Sequence, residues 1–422
     1  MNTLVSVALL LAVTAGFAYA NHYLLGLPRN SGLLVIALAA SLTLRAIEYA
    51  VPGIGIASTL SDAMQRLDFG SLLLNGFLGL LLFAGALEID LRNLLSRKWT
   101  ILVLATVGVL LSALAMAGGM FAIFRLVGIA MPLGYCLVFG ALISPTDPVT
   151  VLYVLRRLGV PARLQAIIAG ESLFNDGIGI VLFTVLLSIA SGGEGSADYG
   201  QAVLLFAREA LGGILYGAAI GWLAYRAMKA IDEHNLEVLI TLSLVMGGYT
   251  LARHIEVSGP LSMAVAGLII GTPGRRHAMS ERTQTHVTAF WSVLDEVLNA
   301  VLFLLVGLEV AVLSFDRGSY LFGLASIAVV LLGRAVGTGV PLAGLALFGA
   351  YARGSFSVLV WGGLRGGLSI AMALSLPPGP VREVILTATY CVVIFSVVIQ
   401  GYSIGPVARH VLGPPDAPPG NG

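Results

Sequence analysis

Read for hydropathy, the chain is a succession of long apolar stretches separated by short polar ones. A window of about 20 residues, the length that crosses a bilayer core, picks out thirteen stretches: roughly 3–21, 31–50, 70–89, 100–125, 131–155, 162–190, 201–229, 236–252, 259–273, 287–314, 319–349, 354–376 and 383–408. The pattern predicts an all-α polytopic membrane protein with about 13 transmembrane helices. The loops are too brief for a soluble domain, so residues 1–412 form a single transmembrane unit. The first twenty residues could pass for a signal peptide ending in Ala18-Tyr19-Ala20, but no Lys or Arg precedes their apolar run, and they are read as the first span. The Pro/Gly-rich segment 413–422 predicts a disordered cytoplasmic tail.

Three interruptions in the apolar pattern carry the chemistry. The fifth span contains Ser144-Pro145-Thr146-Asp147-Pro148, whose prolines remove backbone donors and clash with the preceding turn. The twelfth contains Gly362-Gly363-Leu364-Arg365-Gly366-Gly367, too glycine-rich for an ordinary helix interior. If spans 1–6 and 8–13 are two repeats, the intervening span inverts the second and the two breaks become equivalent. Discontinuous helices at matching positions of inverted repeats point to a transporter's binding site. At each break taken singly, a kink that only bends the helix for packing is the plain alternative. Freed carbonyls there can bind cations, Asp147 can neutralise positive half-helix ends, and Arg365 negative ones.

The third interruption is Glu171-Ser172-Leu173-Phe174-Asn175-Asp176-Gly177 in the sixth span. A carboxylate near a bilayer centre costs at least ~2.5–3.5 kcal/mol, which marks it as a functional candidate. Ser172 and Asp176, four residues apart, share a helix face, with Glu171 and Asn175 on the neighbouring one. Hydroxyl and carboxylate oxygens side by side suit a hard monovalent cation, and Thr146 can add a hydroxyl or carbonyl oxygen. The expected ligands of such a cation, Na⁺ foremost, are Asp176, Ser172 and Thr146, with bonding to the helix backbone the equal alternative for Ser172 and Thr146 taken alone. Glu171 needs another partner. Arg334, otherwise an unpaired charge in the eleventh span, supplies it as a structural ion pair.

Composition agrees with this class: 58% of residues are hydrophobic and 11% charged, against roughly 25% charged in soluble domains. The net charge of +1 gives no reason to expect nucleic acid as a partner. With the N-terminus outside, inner loops hold fourteen of the Lys and Arg residues, among them Arg29, Arg92, Arg156, Arg275, Arg276 and Arg353; the outer side holds six, including Arg66. That bias predicts an external N-terminus and a cytoplasmic C-terminus. Two cysteines, Cys136 and Cys391, suggest no disulfide framework. Asp295, Glu296 and Asn299 open the apolar run of the tenth span, Glu88 and Asp90 close the third, and the six histidines sit in loops or at span ends. No nucleotide fingerprint and no clustered Cys/His site is present, so no cofactor and no enzymatic activity are expected. A channel or an intramembrane aspartyl protease, pairing Asp147 with Asp176, are the alternatives from other classes.

Glu171–Gly177, Thr146-Asp147-Pro148-Val149, Phe83-Ala84-Gly85-Ala86-Leu87, Arg334 and Trp361–Ile370 together resemble the monovalent cation/proton antiporters of the NhaP/NHE type, over nearly the whole chain. The resemblance implies a thirteen-helix fold and a homodimer in the cell inner (plasma) membrane. It also implies a dimerisation domain (roughly 1–99 and 201–314) and an ion-translocating core (roughly 100–190 and 319–408). The family's cation site carries over to Asp176, with Ser172, Thr146 and Asp147 around the crossing and Asn175 as the family's asparagine; Glu171 and Arg334 match its ion pair. One departure is Ala84, where some relatives place a glutamate that helps hold the ion. The implied activity is exchange of Na⁺, or alternatively Li⁺ or K⁺, for H⁺ by alternating access, serving pH and sodium homeostasis. Proton and cation would compete for the Asp176 carboxylate. Since Asn175 cannot titrate, one proton per cation and electroneutral exchange are expected.

Overall fold

The computed structural model describes residues 3–51, 69–192, 199–271, 279–310, 317–347 and 354–412, and among them no strand occurs. Their helices are α1 (Thr3–Ala20), α2 (Arg29–Ala50), α3 (Gly70–Glu88), a short α4 (Leu91–Ser96), α5 (Lys98–Val127), α6 (Leu133–Ile143), α7 (Val149–Arg157), α8 (Ala162–Ser191), α9 (Tyr199–Lys229), α10 (His234–His254), α11 (Gly259–Ile269), α12 (Glu281–Glu309), α13 (Arg317–Ala346), α14 (Ser355–Trp361), α15 (Gly367–Leu374) and α16 (Pro380–Leu412). Among the described residues ten helices are long and apolar enough to cross a membrane. The remaining three predicted spans are the short α11 and the two broken ones, α6/α7 and α14/α15. The tail 413–422 and the loop residues Arg66, Arg275, Arg276, His277 and Arg353 lie outside the described residues.

Helix ends follow local chemistry. The tenth span starts earlier than hydropathy alone predicts, at Glu281, because Ser280 accepts a hydrogen bond from the Thr283 amide (3.4 Å) and caps α12. Ser258 does the same for α11 through the Leu261 amide at 3.3 Å. Asp90 caps α4 by accepting from the Arg92 amide at 2.9 Å. Among the described residues, complete widened π-turns lie at Asn21–Leu25, Leu73–Phe77, Leu104–Gly108 and Ser396–Gln400. Such turns are rare and are frequent at functional sites.

By packing, the chain separates into two compact units, of which the first comprises Met1–Glu88, Leu211–Leu324 and Gly367–Cys391. Within it α2 packs on α12 and α11 on α3. The Ser41 hydroxyl donates to the Gly307 carbonyl (2.8 Å), tying α2 to α12 inside the apolar interface. Arg29 pairs with Glu296, joining the starts of the apolar runs of the same two helices. Trp291 is buried against Phe83, with ring centroids 4.6 Å apart, and donates to the Thr241 hydroxyl at 3.0 Å. Ala84 is buried in that same cluster with Leu87 and Tyr249.

The second unit comprises Ile89–Ala210, Ala325–Gly366 and Val392–Gly422, and its boundary at 366/367 falls inside the second broken span. Here α6 packs against both α5 and α8. Ala105, Val109 and Ile178 are buried together, with Phe174, Leu182 and Phe206 against them. Both polar interruptions of the fifth and sixth spans lie in this unit, as do Arg334 and Arg365.

Candidate functional site

Helix α6 stops because Pro145 and Pro148 cannot donate the amides that would continue it. The Ser144 amide and hydroxyl both turn back to the Ala141 carbonyl, at 3.2 and 2.9 Å. An irregular segment buried among apolar helices must still satisfy its backbone groups. Side chains from elsewhere in the unit do so. The Thr146 amide donates to Asn175 Oδ1 (3.3 Å), and the Thr146 carbonyl accepts the Ser172 hydroxyl. Asn175 Nδ2 donates to Thr146 Oγ1 at 2.8 Å, and that hydroxyl lies 3.4 Å from Ser172 Oγ.

The second break closes on the first. The Asp147 amide donates to the Leu364 carbonyl at 2.8 Å. Arg365, buried, sends Nη1 to the Ser144 and Pro145 carbonyls at 2.6 and 2.9 Å. Among the described residues its Nε and Nη2 make no hydrogen bond. A guanidinium thus lies against the carbonyl end of α6, the negative pole of a half-helix, while Asp147 Oδ1 accepts from the Val149 amide (2.9 Å) at the positive start of α7. The approach is close: a Cβ on Gly366 would come within 3.1 Å of Asp147 Oδ2.

Glu171 and Arg334 form a buried, bidentate ion pair, with Nη2 to Oε2 at 3.0 Å and Nη1 against Oε1. Arg334 does more than pair. Nη2 and Nε also donate to the Leu359 carbonyl near the end of α14, at 3.0 and 3.3 Å. Each broken helix therefore has an arginine at the carbonyl end of its first half. Gly363 permits this approach, since a Cβ there would meet Arg334 Nε at 2.6 Å.

Asp176 differs from all of these. It is half-buried, its carboxylate makes no hydrogen bond among the described residues, and the charged groups acting on it include Asp147 and Arg365. The unit thus brings Thr146, Ser172 and Asn175 into one hydrogen-bonded cluster and leaves one carboxylate without a donor beside it. Asn175 lies elsewhere than the face count predicted. The face count put it beside Ser172 on the neighbouring face with Glu171; in the structure it shares Thr146 with Ser172, three residues earlier on the ridge of α8 turned to the break. Among the described residues no group of three or more His, Cys, Asp or Glu is placed to hold a metal ion.

Hydropathy did not single out Ser396 and Gln400 of α16. Ser396 Oγ accepts from the Arg365 amide (2.8 Å) and donates to Gln400 Oε1 (2.8 Å); Gln400 Nε2 donates to the Trp361 carbonyl (3.1 Å). Their signal is two polar residues four apart in an otherwise apolar run. Glu237, in the first unit, was also passed over: it is buried, with neither carboxylate oxygen hydrogen-bonded among the described residues.

Known proteins resemble this chain along its length. The family described as "Sodium/hydrogen exchanger, transmembrane" matches residues 5–410. The Na⁺/H⁺ antiporter NhaP of Pseudomonas aeruginosa is 44% identical over 410 residues, 96% of each chain. The Na⁺/H⁺ antiporter NhaH of Halobacillus aidingensis is 34% identical over 415 residues, covering 97% of this chain and 98% of that one. The solved structure of the sodium proton antiporter MjNhaP1 from Methanocaldococcus jannaschii at pH 8 superposes with a TM-score of 0.77. It covers 98% of this chain and 100% of its own at 20% identity, a likeness of fold.

Proposed function

This chain belongs to the sodium/hydrogen exchanger family, and on that premise we propose that it exchanges Na⁺ for H⁺ across the membrane by alternating access, with Asp176 as the carrier. The observation that carries this assignment is the Asp176 carboxylate itself, half-buried and, among the described residues, free of any hydrogen bond beside the broken α6/α7 span. A carboxylate out of bulk water needs its charge compensated. A proton or a monovalent cation can do so, and the two compete for the same oxygens. Thr146, Ser172 and the second oxygen of Asp147 supply the hard oxygen ligands that Na⁺ prefers. Asn175 holds the Thr146 backbone in place for them, and Arg365 and Asp147 compensate the half-helix ends.

The protein is a transporter rather than an enzyme, and the relatives lend no support to a channel or a protease. Asn175 cannot titrate, so each half-cycle carries one proton or one cation and exchange is electroneutral. The moving core comprises roughly 100–190 and 319–408; the dimerisation domain, roughly 1–99 and 201–314, joins two copies of the chain. The N-terminus lies outside and the C-terminus in the cytoplasm, across the cell inner membrane. Reconstituted protein should dissipate an imposed pH gradient on addition of Na⁺, read as dequenching of a pH-sensitive dye. Asp176→Asn should abolish that response while the protein still elutes and melts as a folded species. Parent-like proton movement in Asp176→Asn would overturn the assignment.

A further inference from the structure

We propose that Ser396 and Gln400 are positioning residues for cation exchange, holding the 362–366 break in the shape that delivers Arg365 to the carbonyl end of the first broken span. The inference rests on the antiport reading and deepens it. Within the break, the Gly362, Gly363 and Leu364 amides fold back on carbonyls of their own strand of chain, at 2.8, 3.3 and 2.9 Å. Other groups of the break are met from elsewhere, the Leu364 carbonyl by the Asp147 amide among them. The Arg365 amide and the Trp361 carbonyl lie on either side of the break, and each is met by a side chain of α16.

The two side chains act as one bridge, because the Ser396 hydroxyl is itself held by Gln400 Oε1 at 2.8 Å. Both are buried, Ser396 at 0% and Gln400 at 3% exposure. Their geometry depends on the widened turn, which Ser396 opens and Gln400 closes. An extra residue in that turn rotates the following helix relative to the preceding one. The rest of α16 is therefore free to pack on α14 through the Trp361 Nε1 donor to Ser403 Oγ at 2.9 Å. Arg365 then has its main-chain amide pinned at one end and its guanidinium on the Ser144 and Pro145 carbonyls at the other. Since its guanidinium holds the Ser144 and Pro145 carbonyls next to Thr146, displacing the Arg365 backbone moves the Thr146 oxygens offered to the cation and so alters how cation and proton compete. A bridge that only satisfied buried groups would affect stability without touching that competition.

The test compares parent, Ser396→Ala, Ser396→Thr and Gln400→Asn in proteoliposomes, reading half-saturating Na⁺ and the pH of maximal exchange, alongside melting in detergent. Ser396→Ala leaves the Arg365 amide without a partner, and Gln400→Asn shortens the amide by one carbon so that it no longer reaches the Trp361 carbonyl. Each should change half-saturating Na⁺ on the order of tenfold, the scale of one unsatisfied buried group. Each should also move the pH of maximal exchange by about one unit, since tenfold in the competition is one pH unit. Ser396→Thr keeps the hydroxyl and should return both readings to the parent's. Should Ser396→Ala fold poorly, Gln400→Asn, which retains an amide, carries the measurement. Variants that melt lower or run slower with parent half-saturation and pH profile would overturn the proposal, as would variants that match the parent throughout. A parent that moves no protons on Na⁺ addition would instead overturn the antiport reading beneath it.

Discussion

Replacing Arg334 by alanine tests how the second unit holds its buried charge. The guanidinium meets both oxygens of Glu171 and, through Nη2 and Nε, the Leu359 carbonyl. Arg334→Ala therefore orphans a buried carboxylate and a helix-terminal carbonyl together. Removing one partner of a buried pair typically costs ~3–5 kcal/mol because the other charge is left uncompensated. Unfolding entropy near 2.1 cal/mol/K per residue, applied to 422 residues, converts that loss into a fall in melting temperature of roughly 3–6 °C, and more if one unit melts by itself. Glu171→Gln should cost less, because Arg334 keeps both of its bonds to Leu359. The double variant Glu171→Gln/Arg334→Gln carries no net buried charge and should recover part of the loss. Intrinsic-fluorescence melting of detergent-purified protein, run as a double-mutant cycle, gives all three values. An Arg334→Ala protein that melts with the parent would refute the reasoning, and so would a double variant no more stable than Arg334→Ala.

Exchange in liposomes should be indifferent to a potassium-diffusion potential set with valinomycin; a change in rate or end point would mean that a second group, Asp147 foremost, also exchanges protons. Asn175→Ala leaves the Thr146 amide unpaired, so thermal stability should fall by about 1–3 kcal/mol and half-saturating Na⁺ should rise, both read on the purified protein. Asn175→Asp keeps an acceptor for the Thr146 amide but loses the Nδ2 donor, and should shift the pH profile more than stability. Gly366→Ala places a methyl group 3.1 Å from the Asp147 carboxylate, so exchange should drop severalfold with expression retained; parent rates would show that the two breaks have room to spare.

The sequence by itself determined which stretches are helical and where two of them break. Hydropathy over a bilayer-length window is a local property, and thirteen spans could be counted without any knowledge of packing. Pro145, Pro148 and the Gly362–Gly367 run act on their own backbone, so both breaks were visible as well. Glu171, Asp176, Arg334 and Arg365 stood out because charge in an apolar run is costly wherever the helix ends up. What tertiary structure decided is which group meets which. Arg365 reaches carbonyls more than two hundred residues earlier, a pairing that only helix packing can create. Helix periodicity suggested that Asn175 sides with Glu171, yet its partners are set by the ridge of α8 that faces the break. Ser396 and Gln400 are unremarkable as letters in an apolar stretch; they matter because a widened turn aims them at backbone groups on either side of a break in another helix. A backbone polar group freed by Pro or Gly announces itself locally, whereas the side chain that satisfies it is chosen by whatever the fold brings within hydrogen-bonding distance.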